Sequence, residues 1–429
     1  MSFKELLKCT TPCADYSKYE TYYEGKSRLN ALGVTLPPQM RVLEQMAPFP
    51  KLAVDVLTEV LVPEGFILGD NTEIPDMLQH WWAVNDMSTQ FQLAATEALV
   101  QGAAYWIVGP GKEGIPRVSF VTRNGTATRL DHFGNVAEAV TVYTIDDTVY
   151  ATHYEAGRTT YYQKSKYGSD IWDVVDSYAT GLDAPAIVPM FNRERAGDVR
   201  GRSIIKEIIT PTDAASRTLT NLQVAQEMLS MPQRYILGDG VAEAASAIAE
   251  ERGIPLQQAK FEQYIGNLMH GPEGATVGQL PGADLSSLHN TYRMYAQEVS
   301  AITGIPPAML GITTDNPASA EAMRVAKDRL IQRAEEKTRM FGDSIEQVFR
   351  LALRAEGHEI DGVDALELRW RDPATASESA RAAYLLQAHA QGIISAETAR
   401  DGLRLTPQQQ ARERELSENT YRFTQQLGA

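Results

Sequence analysis

The sequence predicts an α+β fold whose strands are grouped together rather than alternated with helices. Three observations carry this. From Ala103 onward the chain shows successive alternating runs, VSFVTR, VAEAVTVYTI, TVYATHYEA and RTTYYQKS, separated by turn residues. Two helical stretches, from about Arg202 to Leu229 and from Asp284 to Thr303, flank a short mixed excursion. After Asn316 there is no proline or hairpin signal for about forty residues, a helix of roughly 60 Å at 1.5 Å per residue. That exceeds the core of a small domain, so this helix is expected to run through an assembly, although its periodicity alone fits equally a long bundle helix in an ordinary globular protein.

Taken in order, residues 1 to about 50 read as an irregular polar arm with a Tyr-rich patch from Tyr16 to Tyr23 and a break at Pro37-Pro38. Leu52 to Val62 is apolar and ends at Pro63. Pro75 to Gly102 reads as helical, with Trp81, Trp82, Leu93, Ala94 and Leu99 as an apolar core stripe before Gly102. The strand region follows, with Asn124-Gly125 as a hairpin turn and breaks at Asp146-Asp147, Gly157 and Gly168. IVPMF is a buried strand leading into a polar, Arg-rich loop. The next helix is expected to be interrupted at Pro211 and to end before Pro232. Gly304 ends the helix after that, and the loop GIPPAMLGITTDN follows. Asn316 and Pro317 then open the long helix, with Glu321 near its positive end. Its packed face runs through Met323, Ala326, Leu330, Ala334, Phe341, Ile345, Val348, Phe349 and Ala352, and Glu335–Arg339 and Glu346–Arg350 are expected on the wet side. ALELRWRDP is a closing strand, and the remainder is polar and helical.

Composition narrows the function. At 429 residues the chain can bury two to four cores without cofactors or staples. Cys9 and Cys13 have no second pair, and the seven histidines are scattered, so neither a metal site nor a cofactor is expected. No signal sequence or apolar span is seen, and a soluble, intracellular chain is expected. A net charge of −15 argues against strong neutralisation of nucleic-acid phosphates; DNA meeting such a surface would slide rather than stick, and a solvated acidic surface is the simpler reading. GPGKEG, residues 109–114, lacks the phosphate-loop spacing and reads as a hairpin turn. No H-E-x-x-H, G-x-S-x-G or G-x-G-x-x-G motif is present. The adjacent carboxylates Glu250-Glu251 and Asp146-Asp147 have nothing nearby to tune them, so no enzymatic activity is expected.

The collinear order of these segments resembles the SPP1-like portal proteins of tailed bacteriophages. The most specific part is ITGIPPAMLG, from Ile302, followed by DNPASAEAMRVAKDRLIQRAEEKTRMFGDSIEQVFRLAL. VDVLTEVLVPEGF, HWWAVNDMSTQFQLAATEALVQGAAYWIVG, VPMFNR and LRWRDPATAS support it. The resemblance covers nearly the whole chain. It implies a ring of about twelve subunits around a DNA channel at one capsid vertex. It further implies a wing (1–202), stem helices at 203–230 and 284–303, a clip (231–283), a tunnel loop (304–316), a long wing helix with closing strand (317–373) and a helical crown (374–429). Gly304, Ile305, Pro306, Pro307, Met309, Leu310 and Gly311 would belong to the tunnel loop. Proline stiffness and glycine hinges suit a loop that protrudes and shifts, and its apolar Ile305, Met309, Leu310 and Ile312 suit equally a loop packed against its neighbour. Arg217, Arg234, Arg252, Lys260 and Arg293 are candidate channel-facing cations, although charges on helices and loops commonly face only solvent. Expected partners are further copies of the chain, the terminase large subunit, a head–tail connector, the major capsid and scaffolding proteins, and double-stranded DNA. The expected location is the virion, after assembly in the host cytoplasm. The rival implication is an oligomeric adaptor or scaffold that never touches DNA.

Overall fold

The computed structural model describes residues 3–10, 14–29, 42–69, 71, 73–167, 171–230, 234–237, 276–279, 285–312, 320–358, 360, 362–374 and 378–403, with a few isolated positions elsewhere. The chain divides into two compact units, Met1–Trp370 and Arg371–Ala429.

The first unit opens with helices α1 (Phe3–Lys8) and α2 (Ala14–Tyr23), which corrects the expectation of an irregular arm. The tyrosines hold α2 down: Tyr19 and Tyr22 are buried, and the Tyr22 and Tyr23 hydroxyls donate to Asp213 and Asp55 at 2.8 and 2.9 Å. Helix α3 (Phe49–Val60) carries the Leu52–Val62 run, and Pro63 opens strand β1 (Pro63–Ile67), where its missing donor costs no ladder bond. The stretch expected to be helical over 75–102 is built as two helices, α4 (Glu73–Val84) and α5 (Met87–Gln101), separated where Asp86 adopts φ +49°. Trp81, Trp82, Ala94 and Leu99 are core residues as expected. Leu93 is 53 % exposed, because the break resets which face of α5 is buried.

Strands β2 (Ala103–Lys112), β3 (Ile115–Thr122) and β9 (Ile187–Phe191) form one antiparallel sheet in the order β3-β2-β9. β4 (Thr126–Leu130), β5 (Val136–Ile145), β6 (Thr148–Glu155), β7 (Arg158–Ser165) and β8 (Asp173–Ala179) form a second, a five-stranded meander. GPGKEG is the β2–β3 turn, with Lys112 opposite Ile115. Asn124-Gly125 is not a hairpin between paired strands: β4 pairs with β5, so this turn carries the chain from one sheet to the other. The free edge of β3 is covered by side chains, as Asn85 accepts from the Val118 amide and Gln90 donates to the Val118 carbonyl.

Helix α6 (Ile205–Ser230) runs through Pro211 without the expected break. Burial of Ile205, Ile208, Thr212 and Ala215 around the proline compensates the lost backbone bond. Residues 42–48 strap across α6, where the Ala47 and Gln45 amides donate to Ser216 Oγ (2.9 Å) and Thr220 Oγ1 (3.0 Å). Between α6 and α7 (Ser286–Thr303), β10 (Arg234–Leu237) pairs antiparallel with β11 (Thr276–Gln279). Most of the excursion from 238 to 275 lies outside the described residues.

Helix α8 (Ala320–Ala355) has 36 residues, about 54 Å of rise. Its expected start at Asn316-Pro317 lies outside the described residues. Leu330, Ala334, Phe341, Ile345, Val348, Phe349 and Ala352 are buried, but Ala326 is exposed and Val325 is 61 % exposed. Among the described residues the packed face therefore begins at Leu330; the Met323 side chain lies outside them. Glu346–Arg350 is not a wet pair. It is a joint in which Arg350 donates to the carbonyls of Val363 and Leu366 while Glu346 accepts from the Leu368 amide at 2.9 Å. This joint seats strand β12 (Glu367–Trp370), which pairs antiparallel with β1.

In the second unit, α9 (Glu378–Ala390) and α10 (Ala396–Gly402) bury Ala388 and Ala399, and Ser395 caps α10 by accepting from the Thr398 amide.

Candidate functional site

The loop between α7 and α8 is built from its ends inward. Gly304 takes φ +76° and returns its amide to the Ser300 carbonyl at 2.8 Å, closing α7. Ser300 Oγ donates to the Ile305 carbonyl at 2.6 Å, and a single 3₁₀ turn spans Pro307–Leu310. Gly311 adopts φ +80°, and the Ile312 amide donates back to Pro307. Ile305, Leu310 and Ile312 are buried in the main core. This half of the candidate tunnel loop therefore does not protrude. Its apolar side chains pack inside their own chain because the core between α3 and α7 offers them burial. Residues 313–316 lie outside the described residues.

Two arginines of α8 lock this root in place. Arg333 donates to the Ile302 carbonyl at 2.8 Å, placing a cation on the negative end of α7. A Cβ at Gly304 would sit 3.0 Å from Arg329 Cγ, so glycine is demanded both by the backbone and by the arginine stem. One turn further along, Lys337 is 2 % exposed and has no hydrogen bond or ion pair among the described residues. Burial pushes its amine below the ordinary lysine range, against the weaker opposing pull of Glu336 and Glu194. Arg329, Arg333 and Lys337 were missed as site residues in the sequence. Their signal was there in the four-residue spacing, which puts three cations on one face of the helix that follows the loop.

The expected basic residues are dispersed. Arg217 is exposed on α6, Arg234 opens β10 opposite Gln279, and Arg293 is half-buried on α7. Arg252 and Lys260 lie outside the described residues.

One cluster of potential metal ligands forms among the described residues, two glutamates around a single histidine. His153 Nε2 lies 2.7 Å from Glu138, and its Nδ1 lies 3.6 Å from Glu155, while Arg129 donates to Glu138 at 3.0 Å. The imidazole stands between the two carboxylates, one at each ring nitrogen, and one ligand atom from each of the three residues lies within 4.8 Å of the others. The arrangement is a hydrogen-bonded bridge across β4, β5 and β6. Burial alone would raise the Glu138 carboxyl, but its bonds from His153 and Arg129 outweigh that and hold it below the usual range.

The fold and the site define a class of protein: an α+β subunit whose long helices are only partly covered by its own chain, with no constellation of nucleophile and base among the described residues. No described helix is long and apolar enough to cross a membrane. Residues 11–419 match the family described as "Phage portal protein, SPP1 Gp6-like". The portal protein of Mycobacterium phage D29 is 33 % identical over 410 residues, covering 89 % of this chain and 80 % of the relative. That of Mycobacterium phage L5 is 31 % identical over 418 residues, covering 90 % and 81 %. In fold, the chain resembles a subunit from the neck of an empty GTA particle computed with C6 symmetry, with TM-score 0.51 and 18 % identity over 86 % of this chain and 94 % of that one. The chain belongs to the SPP1 Gp6-like family of phage portal proteins. It is a structural component of the virion, involved in DNA packaging, and not an enzyme.

Proposed function

We propose that this chain forms a closed ring of about twelve copies at one capsid vertex, through which DNA is packaged and ejected. The observation that carries this reading is the α6–α7 pair. Beyond the body of the unit, the first turns of α7 are covered only partly, with Met294 51 % exposed and Leu288 half-buried. A two-helix layer that ends in a small β-pair has too little of its own chain to bury both faces, and neighbouring copies of the same pair would cover them. In this reading α6 and α7 are the stem, residues 231–283 the clip, residues 317–373 the long wing helix with its closing strand, and residues 374–429 the crown. Gly304–Ile312 is the anchored root of the tunnel loop. The terminase large subunit and the head–tail connector would dock at the exposed ends, and capsid and scaffolding proteins around the rim.

The acidic balance supports a channel that does not grip its cargo, with Arg217, Arg234 and Arg293 as candidate local cations. Native mass spectrometry with negative-stain imaging tests the ring. A closed ring near twelve copies with an open axis is expected. A monomer or dimer stable across concentration and salt would overturn it and favour an adaptor that never contacts DNA. Arg293→Glu is expected to lower the amount of DNA packaged by assembled particles; undiminished packaging removes Arg293 from the channel.

A further inference from the structure

The five-stranded meander has two chemically different faces. Residues alternate between faces along each strand, so the pairing register sorts them. Tyr143 on β5 stands directly opposite Tyr150 on β6, and their rings stack with centroids 5.3 Å apart and planes 16° apart. On the same face, Tyr161 of β7 lies against Tyr178 of β8 at 6.1 Å. A bulge in β8 leaves Asp176 opposite Tyr161 and Asp173 opposite Gln163, which puts both aspartates on the tyrosine face. The cations of these strands, Arg158 and Lys164, alternate onto the other face, where Lys164 lies over Trp172. Lys166, just beyond β7, lies over Tyr167.

The tyrosine face is thus aromatic and acidic, and among the described residues these strands place no cation on it. Its inner half is fixed in the core through Ala139, Tyr154 and Thr159, while its outer half is open, with Tyr143 48 % exposed. Stacked phenol rings beside carboxylates are the surroundings that a guanidinium prefers. The ring faces attract the cation, the planar group stacks, and the carboxylates take its N–H donors.

We infer that this outer face, formed by Tyr143, Tyr150, Tyr161, Tyr178, Asp173 and Asp176, is a docking platform for an arginine-bearing segment of another protein. A second copy of the same face is repelled by its own aspartates, and DNA phosphates are repelled in the same way. The platform is independent of the ring reading, since it needs only the meander of one subunit.

The test titrates purified full-length protein into a fluorescently labelled, short arginine-rich peptide at about 150 mM salt, with lysine and glutamate counterparts. The arginine peptide is expected to bind, the lysine peptide several-fold more weakly, and the glutamate peptide not at all. Tyr143→Ala is expected to weaken arginine-peptide binding about fivefold, with Tyr143→Phe close to wild type, and the pair Asp173→Lys with Asp176→Lys to abolish it. Hydrogen exchange on the wild-type protein should show peptide protection at 143–150 and 173–178, which keeps the test valid if a variant fails to fold. Three results would each overturn the proposal: binding unaffected by Tyr143→Ala but lost in the aspartate variant, which describes a diffuse acidic surface; protection elsewhere; or a wild-type oligomer that Tyr143→Ala dissociates, which gives the face to a second copy.

Discussion

Lys337 carries an amine into the core of the first unit without a partner among the described residues, and this is where a single side chain most plainly works against stability. Its folded-state affinity for a proton is depressed, so the unfolded chain holds more protons in the window between the lowered value and the ordinary 10.5. The penalty is full below the lowered value and is relieved as pH rises through that window. Lys337→Met, of similar length and without the charge, is therefore expected to raise the melting temperature at pH 7, with a gain that shrinks toward pH 10. Thermal unfolding at the two pH values checks this; a lower melting temperature at pH 7 would assign the amine a partner supplied by assembly. Glu97 shows the opposite linkage. Burial first, then the neighbouring carboxylates Glu20 and Glu24, push its carboxyl up to about 7. The folded state then holds more protons than the unfolded between about 4.5 and 7, so stability falls as pH rises through that range. Glu97→Gln should raise the melting temperature at pH 8 and leave it unchanged at pH 4; an equal gain at both would trace the effect to packing.

Among the elements, the α7–loop–α8 joint concentrates the most constraint in the fewest residues. Gly304→Ala forces a left-handed backbone and presses on the Arg329 stem, and the combined cost is expected to be on the order of 1–3 kcal/mol. Arg333→Met removes the bond to the Ile302 carbonyl and the cation at the end of α7, and should cost about 1 kcal/mol. Denaturant titration of the two variants checks the order; a larger loss in Arg333→Met than in Gly304→Ala would mean that the arginine, not the glycine, sets the joint. Much of this element was readable in the sequence, because Gly304, Gly311 and the prolines announce a turn by local rules. Its burial was not, since an apolar loop reads the same whether it projects or packs. The same division runs through the fold. The alternation in β5 to β7 declared strands, while the choice of β5 over β3 as the partner of β4 depended on a non-local pairing that Asn124-Gly125 does not encode. Pro211 was a local stop signal overridden by the burial around it. Glu346–Arg350 had the spacing of a solvent pair and became a joint because residues 363–368 return to cover it. At the site, three cations at four-residue spacing were visible, but their contact with the α7 terminus required the fold.

At the scale of the whole molecule, charge sets the condition for assembly. Each chain carries −15, so copies brought side by side in a ring repel one another over distances of the order of the screening length, about 30 Å in 10 mM salt and about 8 Å at 0.15 M. The surfaces proposed to meet are the incompletely covered faces of α6 and α7, whose burial gains are not weakened by salt. If apolar coverage drives closure and net charge opposes it, the ring fraction should rise as salt increases from about 10 mM to about 0.15 M and then level off, because further screening removes little additional repulsion. Lowering the pH toward 5, where the chain nears its isoelectric point, should act in the same direction even at low salt. Sedimentation velocity across this grid reads both effects. Rings that instead come apart as salt is added would show that ion pairs between subunits hold them, and would move the search for the interface from the stem helices to the charged rim of the wing.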